Sequence, residues 1–166
     1  MEYKTAHEST LDALEGCLNV IHDEMTRVAD THWSQIEAHE KKVTEWSNKS
    51  QLRLVMHRKG NHIQAKWNTI KWFGKKGARK DVKTSIRKSV NEDTYSLAEL
   101  KANARDWEWA MVEKTELQMG LLRKQAGFIV KAITAMRYAG MAAQKYTEQY
   151  GSDETISEPE EEALPA

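Results

Sequence analysis

Thirteen basic side chains fall between positions 49 and 90, with a single acid, Asp81, among them. They are Lys49, Arg53, Arg58, Lys59, Lys66, Lys71, Lys75, Lys76, Arg79, Lys80, Lys83, Arg87 and Lys88. Solvated protein faces normally mix the two signs, so a block this one-sided costs stability through self-repulsion unless a polyanion compensates it. Nucleic acid is the polyanion that the pattern fits best. Asn61 follows Gly60 in a turn signal and adds a group able to pair with an adenine edge, while Arg53 and Arg58 can each bridge a guanine bidentately. Trp72 and Phe73 lie beside a Gly74-Lys75-Lys76-Gly77 loop, where a ring can stack on a base or wedge between two steps. Trp67 shares a face with Ile63 and Ala65 and is expected in the core. The candidate DNA contacts are therefore all of these bases except Lys49, together with Asn61 and Trp72. Arg53, Arg58, Lys59, Lys66, Lys83 and Arg87 lead the set.

Other chemistries are poorly supported. There is no Gly-rich Lys-Ser/Thr phosphate loop, no HExxH helix and no Gly-x-Ser-x-Gly elbow. His7, His22, His32, His39, His57 and His62 form no close ligand pair; His32 and His39 are two helical turns apart, wider than metal ligation on a helix normally uses. Helix packing or surface positions suit them better. The acids around Asp106-Trp107-Glu108 have no matching acid in the basic block except Asp81, so a metal-dependent nuclease site lacks a frame. The expectation is a protein that is not an enzyme and that uses no cofactor and no metal. Cys17 is the only cysteine, which excludes an intramolecular disulfide and suits a reducing compartment. No run approaches the roughly 18 apolar residues of a membrane span, and the cytoplasm is the expected location.

The elements that must carry the basic block are legible from periodicity. The formal net charge is zero, yet residues 1–48 hold ten acids and four bases, and residues 151–166 hold six acids and no base. From Ser9 to Trp46 the apolar residues Leu11, Leu14, Leu18, Ile21, Met25, Val28, Ile36 and Val43 keep helical spacing, which predicts a helix over 9–47. Its stripe is narrow and needs a partner. Ser96-Leu97-Ala98-Glu99 is a capping box, with Tyr95 and Leu100 as its hydrophobic staple, and opens a second helix over 97–148. Gly120, Gly127 and Gly140 suggest a kink or break along it. Between the helices the period changes to two: Leu52, Leu54 and Met56, then Gly60-Asn61, then Ile63, Ala65 and Trp67 read as a hairpin, and Val82, Thr84 and Ile86 as a third strand. The basic ribbon spans 50–90, with one face apolar and the other basic. The fold class is α+β, mostly α: two long antiparallel helices flank a small antiparallel β-ribbon or three-stranded sheet in one α–βββ–α domain over 1–150. The acidic tail, 151–166, is expected to be disordered, and either shields the ribbon in cis or serves solubility.

Leu52-Arg53-Leu54, followed by Arg58-Lys59-Gly60-Asn61-His62-Ile63 and Lys66-Trp67, resembles the MobI family of conjugative transfer proteins. Ala104-Arg105-Asp106-Trp107-Glu108 and Arg123-Lys124 extend the likeness, which runs from about Gln51 to Arg137. The resemblance implies a DNA-binding accessory factor that recognises the origin of transfer and helps a separate relaxase to begin, and it supplies no catalytic residue. The partners expected are double-stranded DNA, a relaxase and, as a further option, a second copy of the chain. Two alternatives use the same block differently: a coiled-coil adaptor docking an acidic protein, or a peripheral binder of anionic membrane.

Overall fold

The structure is a computed structural model and describes residues 2–151. Helix α1, Glu2–Lys42, buries Leu18, Ile21, Met25, Val28, Ala29, His32 and Ile36 along one stripe. It begins earlier than the capping chemistry near Ser9 suggests because its first turns pack on the far end of the last helix, where His7 Nε2 lies 2.6 Å from the Met136 carbonyl. It also ends earlier than position 47. Trp46–Asn48 form a separate 3-10 turn, and Glu40 accepts from the Ser50 N–H at 2.8 Å to tie the chain back.

Strands β1, Leu52–Lys59, and β2, His62–Phe73, form the expected hairpin, and β3, Lys80–Ser85, adds to β2 in the order β1-β2-β3. Pairing of Leu54 with Trp67 and Met56 with Ala65 puts these residues on one face, which packs on the helices. Leu52, Leu54 and Trp67 are buried together with Leu18, Met25, Val112 and Met119.

The segment expected as one second helix is two. Helix α2 covers Leu97–Asn103, capped by the Ser96 hydroxyl accepting from the Glu99 N–H at 3.3 Å, and helix α3 covers Trp109–Tyr150. The break falls at 104–108, not at a glycine. Its cause is Glu108, a buried carboxylate that accepts from the Arg105 N–H at 2.9 Å, the Gln51 N–H at 3.3 Å and the Ser50 hydroxyl. Burial raises its pKa. Gly120 and Gly140 instead allow close approach inside an unbroken α3: a Cβ at Gly120 would strike the Thr94 side chain, and one at Gly140 would sit 2.7 Å from His7 Nε2.

Helices α1 and α3 run antiparallel, with Arg137 reaching Glu15 at 3.3 Å near one end and the His39 and Trp107 rings stacked at 3.9 Å near the other. The sheet is fastened to α3 by Glu116, which is fully buried. It accepts from Trp67 Nε1 at 2.6 Å, the Tyr95 N–H at 2.7 Å and Arg123 Nη1 at 2.7 Å. Arg123 Nη2 also donates to the Ala65 carbonyl at 3.0 Å.

Two outcomes test this interior. Arg123→Ala leaves the Glu116 carboxylate buried without a cation and is expected to lower unfolding free energy by about 3–5 kcal/mol in urea titrations; a loss under about 1 kcal/mol would contradict the buried pair. His32, buried against Thr115 Oγ1 at 3.0 Å, is pushed by burial from 6.5 down to about 4. The unfolded chain therefore takes up the proton first as pH falls, so this contribution is complete above about pH 6.5 and is lost toward pH 4. Imidazole NMR shifts are expected to show His32 still neutral at pH 5.5; a midpoint near 6.5 would refute its burial.

Candidate nucleic-acid interface

Cross-strand pairing settles which basic residues share a face. Opposite the core, β1 and β2 carry Arg53 with Asn68, Val55 with Lys66, His57 with Gln64, and Lys59 with His62. This face is not the row of alternating cations expected from the sequence, because neutral side chains stand between Lys59 and Lys66. Two leading candidates are also committed to the protein. The Arg53 guanidinium carbon lies 5.2 Å from the Trp33 ring centroid, and its Nε is buried without a hydrogen-bond partner. Arg58 lies on the core-facing side and donates through Nη2 to Asn19 Oδ1 at 2.6 Å and through Nε to the Gly60 carbonyl at 2.9 Å. Both hold the hairpin on the helical body. Asn61 is half-buried at the turn.

The charge is concentrated elsewhere. Residues 71 to 85 are all exposed, and the pairs from Ile70–Lys83 to Phe73–Lys80 carry β2, the following turn and the first part of β3 past the last β1 partner, Leu52, as an arm, while Thr84 and Ser85 stay beside Thr69 and Asn68 in the three-stranded part of the sheet. The expectation that Val82 and Thr84 face the core is therefore corrected. Beyond the arm, Ile86 is buried. Periodicity reports two faces of a strand, but a face is covered only where another layer reaches it, and the body gives out before Lys71. Lys71, Lys75, Lys76, Arg79, Lys80 and Lys83 all lie on the arm, with Asp81 as the single acid, 3.6 Å from Lys83 Nζ.

The arm has a fixed form. Ile70 donates from its N–H to the Gln51 carbonyl at 2.8 Å at the root. At the tip the Ala78 N–H donates to the Lys75 carbonyl at 3.0 Å. Gly74 has φ 106°, and a Cβ there would meet the Ala78 carbonyl oxygen at 2.8 Å, so glycine permits this tight turn. One face of the arm is braced by Trp46, whose ring meets Trp72 edge to face at 4.9 Å and carries the Arg79 guanidinium 4.4 Å above its centroid. Local periodicity gave no sign of this, since it placed Trp46 inside the predicted helix over 9–47, whereas Trp46 lies outside α1.

A second basic feature lies at the other end of β2. A cleft of about 700 Å³ runs between the β1–β2 turn, the segment after β3 and α3, with Lys66, Arg87, Lys88 and Lys131 along it. Arg87 is exposed, whereas Lys88 donates to the Ser89 carbonyl at 2.9 Å and to the Glu92 carbonyl, so it closes a loop. The remaining candidates, Lys59 and Lys66, are exposed on the sheet. Burial also settles Trp67, which has none of its surface exposed. His32 and His39 take packing places, against Trp67 and Trp107. Among the described residues, no group of three or more His, Cys, Asp or Glu side chains is placed to hold a metal ion. None of the described helices is long and apolar enough to cross a membrane. The shielding assigned to the acidic tail concerns residues 152–166, which lie outside the described residues.

The family model of the MobI protein matches residues 21–137, from within α1 through most of α3. The match includes half of the first helix, which the local likeness starting near Gln51 does not reach. No curated protein and no solved structure matches the chain.

The division between anchored and free cations is open to measurement. Arg53→Ala and Arg58→Ala are each expected to cost about 1 kcal/mol of stability, through the lost ring contact and the lost hydrogen bonds. Lys75→Ala and Lys76→Ala should stay within about 0.5 kcal/mol of the parent. Equal urea midpoints for all four variants would show that the two arginines are no more anchored than the arm lysines.

Proposed function

The chain belongs to the MobI family of conjugative mobilisation proteins, and we propose that it acts there as a non-enzymatic DNA-binding accessory protein. It engages double-stranded DNA at the origin of transfer through the β2–β3 arm and thereby assists a separate relaxase, in the cytoplasm. One observation carries this reading: a projecting hairpin, exposed on every residue from 71 to 83, bears six cations and one acid. A two-stranded ribbon is narrow enough to enter the major groove, and its lysines can meet phosphates on the groove walls. Lys71, Lys75, Lys76 and Lys80 act as point charges that position the backbone, with little preference among sequences. Lys59, Lys66 and Arg87 extend the positive field along the body. Arg53 and Arg58 support the scaffold and are not base readers.

Fluorescence anisotropy against salt tests the proposal. With about five phosphates neutralised, log K should fall with log salt at a slope of about −4.5, and Lys75→Ala with Lys76→Ala together should flatten it by about 2. The origin-of-transfer duplex should bind more tightly than a scrambled one. A slope shallower than about −2 that ignores the arm lysines would refute binding through the arm. Binding to anionic vesicles or to an acidic protein without binding to duplex would refute the DNA assignment itself.

A further inference from the structure

The two faces of the arm are unequal. Lys71 pairs with Val82 and Phe73 with Lys80, so these four side chains share one face; Trp72 pairs with Asp81 and Ile70 with Lys83 on the other. The second face is the one braced by Trp46. Lys71 and Phe73 border a shallow cleft that reaches Trp46 and Ser47, yet Phe73 stays 57 % and Val82 49 % exposed, between Lys71 and Lys80. An exposed phenylalanine offers no hydrogen bond and no charge. Its ring is best covered by another flat or apolar surface, and the flanking cations favour a partner that is itself anionic.

An unpaired nucleotide supplies both requirements, a base whose face is free to stack and a phosphate within reach of a lysine. A base in an intact duplex is stacked on both sides and would first have to be opened. The arm is suited to that task because the closed turn at 74–79 fixes its end, and the packing of Trp72 and Arg79 on Trp46 holds one face to the body, leaving Phe73 to present its ring outward. We propose that the Phe73 face is a stacking site for unpaired bases, through which the arm prefers opened or single-stranded DNA to intact duplex. This rests on the DNA-binding reading of the arm and names the form of DNA that the arm holds. Lys71 and Lys80 flank the ring and take the phosphates of the opened strand, and Val82 extends the apolar floor beside it.

Three ligands of one sequence separate the outcomes: an intact duplex, the same duplex with a short unpaired bubble, and the single strand. The full chain is expected to bind the bubble and the single strand about 10-fold more tightly than the intact duplex. Phe73→Ala should remove that preference, at a cost of about 10-fold on the unpaired ligands, and leave intact-duplex binding within about 2-fold. Phe73→Tyr keeps the ring and should keep the preference. Because Phe73 is largely exposed, neither change threatens folding, and matching urea midpoints will confirm it. Duplex binding without any bubble preference, or a Phe73→Ala loss equal on all three ligands, overturns the stacking site and leaves the DNA-binding proposal standing. Absence of binding to every DNA would overturn that proposal as well.

Discussion

Glu116 is where sheet, connecting segment and helix meet. Its carboxylate is fully enclosed, and it accepts from the Trp67 indole on β2, from the Tyr95 backbone ahead of α2, and from Arg123 one side of two turns further along α3. A buried carboxylate without donors would be strongly unfavourable, so each donor must be in place for the others to be tolerated. The constraint is geometric as well as energetic. Once Trp67 and Ala65 are held to α3 through Glu116 and Arg123, the position of β2 along the helix is fixed, and with it how far the strand overruns the body. The arm is the overrun.

A second buried carboxylate governs the root of that arm. Glu108 gathers Ser50, Gln51 and Arg105, while the Gln51 carbonyl accepts from Ile70. The entry to β1 and the last covered residue of β2 are thereby held at the start of α3. The price is a broken helix, with α2 and α3 separated by 104–108. Glu108, one of the acids that read as a poor frame for metal chemistry, is in the fold a hydrogen-bond acceptor that positions the root of the cationic segment.

Much of this was legible in the sequence because it follows from local rules. The change of period from 3.6 to 2, the turn at Gly60-Asn61, the cap at Ser96 and the core place of Trp67 each depend on neighbours within a few residues. The helix break was not legible, because Glu108 finds Ser50 and Gln51 more than fifty positions away and nothing near Ala104 signals it. Arg53 and Arg58 read as the foremost base contacts because their type and spacing suit guanine; only the packing of β1 on α1 puts Trp33 and Asn19 beside them. Strand β3 misled for a different reason. Its alternation is real, but amphipathicity predicts burial only where there is a layer to bury against, and whether α1 and α3 extend that far is a property of the whole assembly.

The antiparallel arrangement also sets a limit on reach. Glu116 lies beside Trp67, and the arm leads away from there while α3 leads the opposite way to Tyr150. That portion of helix alone measures about 50 Å at 1.5 Å per residue. Whatever the arm holds is therefore far from the Tyr150 end of α3, and a partner seated at that end would meet it only by spanning the length of the helix pair.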